Sequence, residues 1–172
     1  MDLLNLIPTV PNFPKPGVMF KDISPLLANH EAFSIAISQL YELSMFCQYD
    51  YLLAIESRGF IFGAALAQLA KTGLILARKP NKLPTEVISQ QYGLEYGVDT
   101  LQIQKNILPA HARVLIIDDV LATGGTLVAA SRLVRKAGGE VVGALVVLEL
   151  SELKGKDKLV EMGVDCKALF KI

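Results

Sequence analysis

The chain is poor in the residues that advertise metal or redox chemistry. Its 172 residues include two cysteines and two histidines. Cys47 and Cys166 lie far apart among apolar neighbours, which predicts core or surface thiols in a reducing, cytoplasmic setting rather than a disulfide framework. His30 and His111 each stand alone, so a zinc site is not expected. Charge of one sign is also missing. Seventeen Lys and Arg balance seventeen Asp and Glu, and this neutrality gives no support to a nucleic-acid partner. No apolar run approaches the roughly 18–20 residues needed to cross a bilayer, so no membrane partner is expected. The first residues lack a basic secretory start: Asp2 and Asn5 stand there, and prolines follow from Pro8. What remains is an ordinary globular composition, 52% apolar and 20% charged, of a length that suits one domain, residues 1–172.

Along that domain, five prolines before residue 26 (Pro8, Pro11, Pro14, Pro16, Pro25) predict an extended or turning lead-in. Asn29 is placed to cap a helix over about 30–46, with Phe33, Ile37, Leu40 and Tyr41 on one face. YLLAIE (51–56) reads as a buried strand. RGFIFGAALAQLAK (58–71) reads as a helix of small residues stopped at Gly73. Residues 74–77 read as a strand. EVISQQY (86–92) and TLQIQ (100–104) alternate like paired antiparallel strands. Strands over 113–117, 141–148 and 166–170 alternate with helices over 126–137 and 156–162. That order predicts right-handed βαβ units and a mainly parallel central sheet flanked by helices. Ligands bind such sheets at the carboxyl ends of the strands.

One stretch at such an end is specific: VLIIDDVLATGGT (114–126). Gly124 and Gly125 let the backbone turn tightly and approach a ligand without a Cβ in the way. The helix that follows favours an anion at its N-terminus. Thr123 and Thr126 add hydroxyl donors, so Ala122, Thr123, Gly124, Gly125 and Thr126 read as a phosphate cradle. Asp118 and Asp119 would repel a phosphate. They make sense facing another part of the same ligand, either a sugar diol or water on hydrated Mg²⁺. Neither a nucleotide P-loop nor a dinucleotide fingerprint is present.

An apolar strand, an acidic pair and a Thr/Gly loop together resemble the phosphoribosyl-pyrophosphate signature of the type I phosphoribosyltransferases. Three further blocks, FPKPGVMFKDISPLL (13–27), ESRGFIFG (56–63) and RKPNKLPTEVISQQYGLEYG (78–97), are similar to the adenine phosphoribosyltransferase family. The resemblance runs from about residue 11 to about residue 154. It implies the type I fold, with an N-terminal hood over about 1–28 and a flexible β-hairpin lid over about 79–105. It also implies a reaction: adenine and 5-phospho-α-D-ribose 1-diphosphate (PRPP) give AMP and diphosphate, with Mg²⁺ and inversion at C1′. By analogy with glycosyl transfer the transition state should be ribosyl-cation-like.

The same resemblance distributes roles. Adenine would stack on Phe20 and be read by the backbone of Met19 and Lys21. Glu56, Ser57 and Arg58 would form the diphosphate loop, with a cis peptide between Glu56 and Ser57. Arg78, Lys79 and Lys82 would belong to the lid, with Arg78 reaching the diphosphate of a neighbouring subunit in a homodimer. Asn81 stands where the family usually has glycine, and Asn tolerates positive φ. Glu95, beside Tyr96, would act near adenine N7 as acid or base. Asp118, Asp119 and Arg58 would join Glu95 as catalytic groups, with Asp118 and Asp119 holding ribose hydroxyls or metal-bound water. VMFKD and LEYG argue against a xanthine or hypoxanthine-guanine enzyme. A phosphoribosyl-pyrophosphate-sensing repressor would need a DNA-binding region, and about twelve residues precede the first block, too few for one.

Overall fold

The computed structural model describes residues 2–94 and 97–172. Its contacts divide the chain into two compact units, residues 1–39 and 40–172.

In the first unit, Asp2 caps a single 3-10 turn (Leu3–Leu6) by accepting from the Leu4 amide at 3.1 Å. The proline-rich lead-in is a small hairpin. β1 (Thr9–Pro11) pairs antiparallel with β2 (Met19–Lys21), with Val10 opposite Phe20. Three features turn the chain between them: Asn12 at φ 59°, a cis Phe13–Pro14 bond and Gly17 at φ 86°. Asn12 Oδ1 accepts from the Gly17 amide at 2.9 Å and ties the turn together. A short α1 (Ser24–Ala28) follows, with Pro25 in its first turn, where a missing N–H is harmless. α2 (His30–Ser44) begins where its cap predicts: Asn29 Oδ1 accepts from the Ala32 amide at 3.0 Å. Its buried face is Ala32, Ala36, Ile37, Leu40 and Ser44; Phe33 and Tyr41 are only half-buried.

The second unit holds the expected parallel sheet. Five strands run in the order β4-β3-β7-β8-β9, and every pairing is parallel. They are β3 (Tyr51–Ile55), β4 (Gly73–Ala77), β7 (Arg113–Leu121), β8 (Glu140–Glu149) and β9 (Cys166–Lys171). α3 (Gly59–Ala70), α4 (Gly125–Lys136) and α5 (Gly155–Glu161) make the crossovers. Leu53, Ile75, Val114, Ile116 and Val146 of the strands and Leu127, Leu133 and Val134 of α4 belong to one buried cluster. Each such side chain contributes about 1.5–3 kcal/mol by leaving water. The small residues of α3 allow close approach: a Cβ on Gly63 would lie 2.6 Å from the Ala54 methyl.

Among the boundaries that differ from the sequence reading, two have a clear physical cause. α3 does not stop on a glycine. Lys71 takes the left-handed cap conformation, φ 54°, and Gly73 opens β4 because a Cβ there would strike the Tyr51 ring at 2.7 Å. β7 does not end at Ile117 either. It runs through both aspartates to Leu121, opposite Glu149 of β8.

Between β4 and β7 stands a separate two-stranded hairpin, β5 (Val87–Leu94) and β6 (Gly97–Gln104), in the predicted antiparallel pairing. Glu95 and Tyr96, which connect them, lie outside the described residues. Reciprocal 2.8 Å backbone bonds between Arg78 and Gln102 join the hairpin to the chain leaving β4. β5 lies along α4, where Lys136 Nζ donates to the Ser89 carbonyl at 3.2 Å.

Candidate active site

The carboxyl ends of β3, β4 and β7 bring most of the predicted second-unit residues to one edge of the sheet. Asp118 and Asp119 are 8% and 4% exposed. They are therefore not solvated turn residues. Asp118 Oδ1 accepts from the Asp119 amide at 2.9 Å. Arg58 Nη2 lies 2.7 Å from Asp119 Oδ2, an ionic contact at an oxygen with no hydrogen bond of good geometry. Burial, and then the neighbouring Asp119 charge, pushes the Asp118 carboxyl well above its ordinary range. Burial also raises Asp119, with Arg58 working in the opposite direction. The pair therefore resists full ionisation.

α3 starts directly against this pair. A Cβ on Gly59 would stand 2.8 Å from Asp118 Oδ1 and 3.1 Å from its Cα, so only glycine lets the helix begin there. The turn that feeds α3 carries the expected cis Glu56–Ser57 bond. The carbonyls of Ser57 and Arg58 then accept from Phe60 and Ile61, both at 3.2 Å.

Glu56 gathers the start of the next segment. Its Oε2 accepts from the Lys79 amide at 2.8 Å and from Arg78 Nε at 3.3 Å. Burial acts to raise this carboxyl, but those two donors outweigh it and hold it below the usual range. Arg78 also donates to the Lys82 carbonyl at 3.1 Å and lies over the Phe60 ring, 5.8 Å from its centroid. Asn81 takes φ 63°, a left-handed conformation that asparagine tolerates. Lys82 is exposed. Lys79 Nζ donates to the Tyr92 hydroxyl at 2.9 Å and pairs with Asp99 of β6. Asp99 looks like an ordinary polar residue of an alternating strand, and sequence reasoning missed it.

The loop Ala122–Gly124 leaves β7 and enters α4 through Gly124, at φ 81°. A cleft of about 120 Å³ opens over Asp118, Ala122, Thr123, Gly124 and Thr126. The twelve-residue α4 points its N-terminus there, which favours an anion. β5 crosses the same helix end: a Cβ on Gly125 would lie 3.3 Å from the Gly93 carbonyl. A larger depression, about 450 Å³, lies at the opposite, amino ends of β3 and β7. Its Arg113 is already held by Asp50 at 2.7 Å and Gln48 at 2.9 Å, and none of the predicted residues lines it.

Met19, Phe20 and Lys21 form β2 of the first unit. Phe20 packs edge-to-face on Phe13 with centroids 5.0 Å apart, and Lys21 Nζ donates to Thr9 Oγ1 at 2.6 Å. Met19 is 58% exposed. The roles given to Glu95 and Tyr96 fall outside the described residues.

Known proteins resemble this chain along its length. The phosphoribosyl transferase domain family matches residues 23–170. Adenine phosphoribosyltransferase of Polynucleobacter necessarius is 56% identical over 99% of both chains. That of Idiomarina loihiensis is 49% identical over 98% of this chain and 95% of its own. The crystal structure of adenine phosphoribosyltransferase from Thermoanaerobacter pseudethanolicus superposes with a TM-score of 0.96 at 42% identity, covering 99% and 98% of the two chains. The Saccharomyces cerevisiae enzyme, solved with adenine and an imino-altritol bisphosphate, gives 0.90 at 37% identity over 98% and 97%. With its buried acidic pair, its glycine-threonine loop and these full-length similarities, the chain belongs to the adenine phosphoribosyltransferase family, a branch of the type I phosphoribosyltransferases.

Proposed function

We propose that this chain is a purine-salvage glycosyltransferase that joins adenine to the phosphoribosyl group of PRPP, giving AMP and diphosphate with inversion at C1′. The observation that carries this reading is the buried Asp118–Asp119 pair beside the anion-favouring loop. A ligand that satisfies both must present hydroxyl donors next to a phosphate, and a ribose 5-phosphate does.

The roles follow from the chemistry. The 5′-phosphate sits on Ala122–Thr126 at the start of α4. Asp118 and Asp119 accept from the ribose hydroxyls, which fixes C1′ for in-line attack. Arg58, already beside Asp119, offers planar donors to the leaving diphosphate, with Glu56, Ser57, Arg78, Lys79 and Lys82 around it. Mg²⁺ is expected to arrive with the diphosphate and offset its charge. The two aspartates suit its water shell as acceptors. Adenine stacks on Phe20, with Met19 and Lys21 reading its edge. By resemblance Glu95, beside Tyr96, serves as acid or base near adenine N7, and a lid shut over the site excludes water. The enzyme works as a cytoplasmic homodimer, one phosphoribosyltransferase domain per subunit.

The test is direct. The protein is incubated with Mg²⁺, PRPP and each of adenine, hypoxanthine, guanine and xanthine, and nucleotide formation is followed. AMP from adenine, with little product from the other bases, is the expected result. No AMP would refute the reading.

A further inference from the structure

We infer that Gly155, outside every block of the family resemblance, is a positioning residue for the phosphate loop. This rests on the reading of Ala122–Thr126 as the 5′-phosphate site. β7 and β8 run side by side to their ends, with Val120 opposite Leu148 and Leu121 opposite Glu149. The Leu150 amide then donates to the Leu121 carbonyl at 2.9 Å. Two segments therefore leave the sheet together: 122–124 from β7 and 151–155 from β8.

They meet back to back through two glycines. A Cβ on Gly124 would lie 2.5 Å from the Gly155 carbonyl oxygen and 3.1 Å from its Cα. A Cβ on Gly155 would overlap the Ala122 carbonyl and stand 2.7 Å from the Gly124 nitrogen. Leu121 Cδ1, 2.9 Å from a Cβ on Gly155, is a side-chain atom that could shift, but the nearer neighbours are backbone and cannot swing aside. Gly124 needs to be glycine in any case, at φ 81°. Gly155 does not: its φ lies outside the left-handed region, so alanine could adopt its backbone. Contact with the loop is thus the reason for glycine at 155. The bare Cα lets the segment brace the loop from behind and set where its amides point.

A Cβ at 155 would push the two backbones apart by on the order of 1 Å to restore van der Waals separation. Displacements of that size cost up to about 100-fold where groups must meet a ligand in register. Gly155→Ala should therefore weaken AMP, which carries the 5′-phosphate, about 10–100-fold by calorimetry. Affinity for diphosphate with Mg²⁺, which does not use the loop, should stay unchanged. Gly143→Ala is the steric control: it drives a Cβ into the Phe46 ring away from the site, and should lower Tm while leaving both affinities alone. Equal weakening of AMP and diphosphate in Gly155→Ala, or none, would overturn the inference. A second measurement needs no variant. In the wild-type protein, AMP should slow hydrogen exchange in both 121–126 and 151–156. Protection of 121–126 alone would remove the role of Gly155 and leave the phosphate reading standing. Protection of neither would remove both.

Discussion

Arg58 and Asp119 form the one ion pair among the described residues that joins the cis-peptide turn after β3 to the acidic pair of β7, at 2.7 Å. The aspartate is almost fully enclosed, while the guanidinium is 31% exposed. Under the proposed function the guanidinium serves the diphosphate, while its contact with Asp119 steadies the carboxylate proposed for the ribose. Arg58→Ala removes both. It should cost about 1–3 kcal/mol of stability, the penalty for a buried charged group losing its partner. It should also lower kcat/KM for PRPP about 10²–10³-fold, as loss of a donor to a developing anion does. Arg58→Lys keeps the charge without the planar fork, and should recover stability better than turnover. Denaturant melts and steady-state kinetics on the two variants check this; an Arg58→Ala enzyme with normal kcat/KM would make the ion pair purely structural.

By resemblance Lys79 opens the lid, and in this structure it is bound to the hairpin through Asp99 and Tyr92. Burial works against the Lys79 charge, but the Asp99 carboxylate and the Tyr92 hydroxyl outweigh it and raise its pKa. The contact ties the first residue of the proposed lid to both strands of its hairpin. Asp99→Asn keeps a side-chain oxygen to accept from the Thr100 amide, as Asp99 Oδ1 does at 2.7 Å, and replaces the charged oxygen facing Lys79 with a neutral amide. Both partners are partly exposed, so the pair contributes roughly 0.5–1 kcal/mol, and exchange across 87–104 should speed up about 2–5-fold. Unchanged exchange in the hairpin would show that Asp99 does not hold it.

Much of this was legible because local rules and tertiary packing agree. Asn29 sits where a cap must, and the apolar run before Asp118 has the pattern of a strand buried on both faces. The glycine-threonine loop needs no partner to be read. Lys71 shows the limit. Nothing local marks a lysine for the left-handed cap of α3, and the glycine that local rules favour, Gly73, is held by the Tyr51 ring instead. The depth of Asp118 and Asp119 was equally hidden. A strand that continues through two carboxylates looks like a strand that stops before them, until Gly59 and Arg58 are folded against the pair. Asp99 and Gly155 depend on strand register across distant segments, which single-residue patterns do not carry.

Asp118 gives the sharpest pH dependence. Its folded-state pKa is raised, first by burial and then by Asp119, from an ordinary value of 3.8. Above pH 3.8 the unfolded chain gives up this proton while the folded protein retains it. Stability therefore falls as pH rises from 3.8 through the raised folded value. The carboxyl destabilises the ligand-free protein at neutral pH, which fits the ribose-binding role proposed for it. Asp118→Asn keeps an oxygen for the Asp119 amide and removes the charge. It should gain about 0.5–2 kcal/mol at neutral pH, the usual scale when a functional residue is relieved. The gain should shrink as the pH is lowered towards 4, and turnover should collapse. Thermal melts of wild type and Asp118→Asn from pH 4 to 8 read the window directly. A variant less stable than wild type across that range would mean that Asp118 serves the fold rather than the substrate.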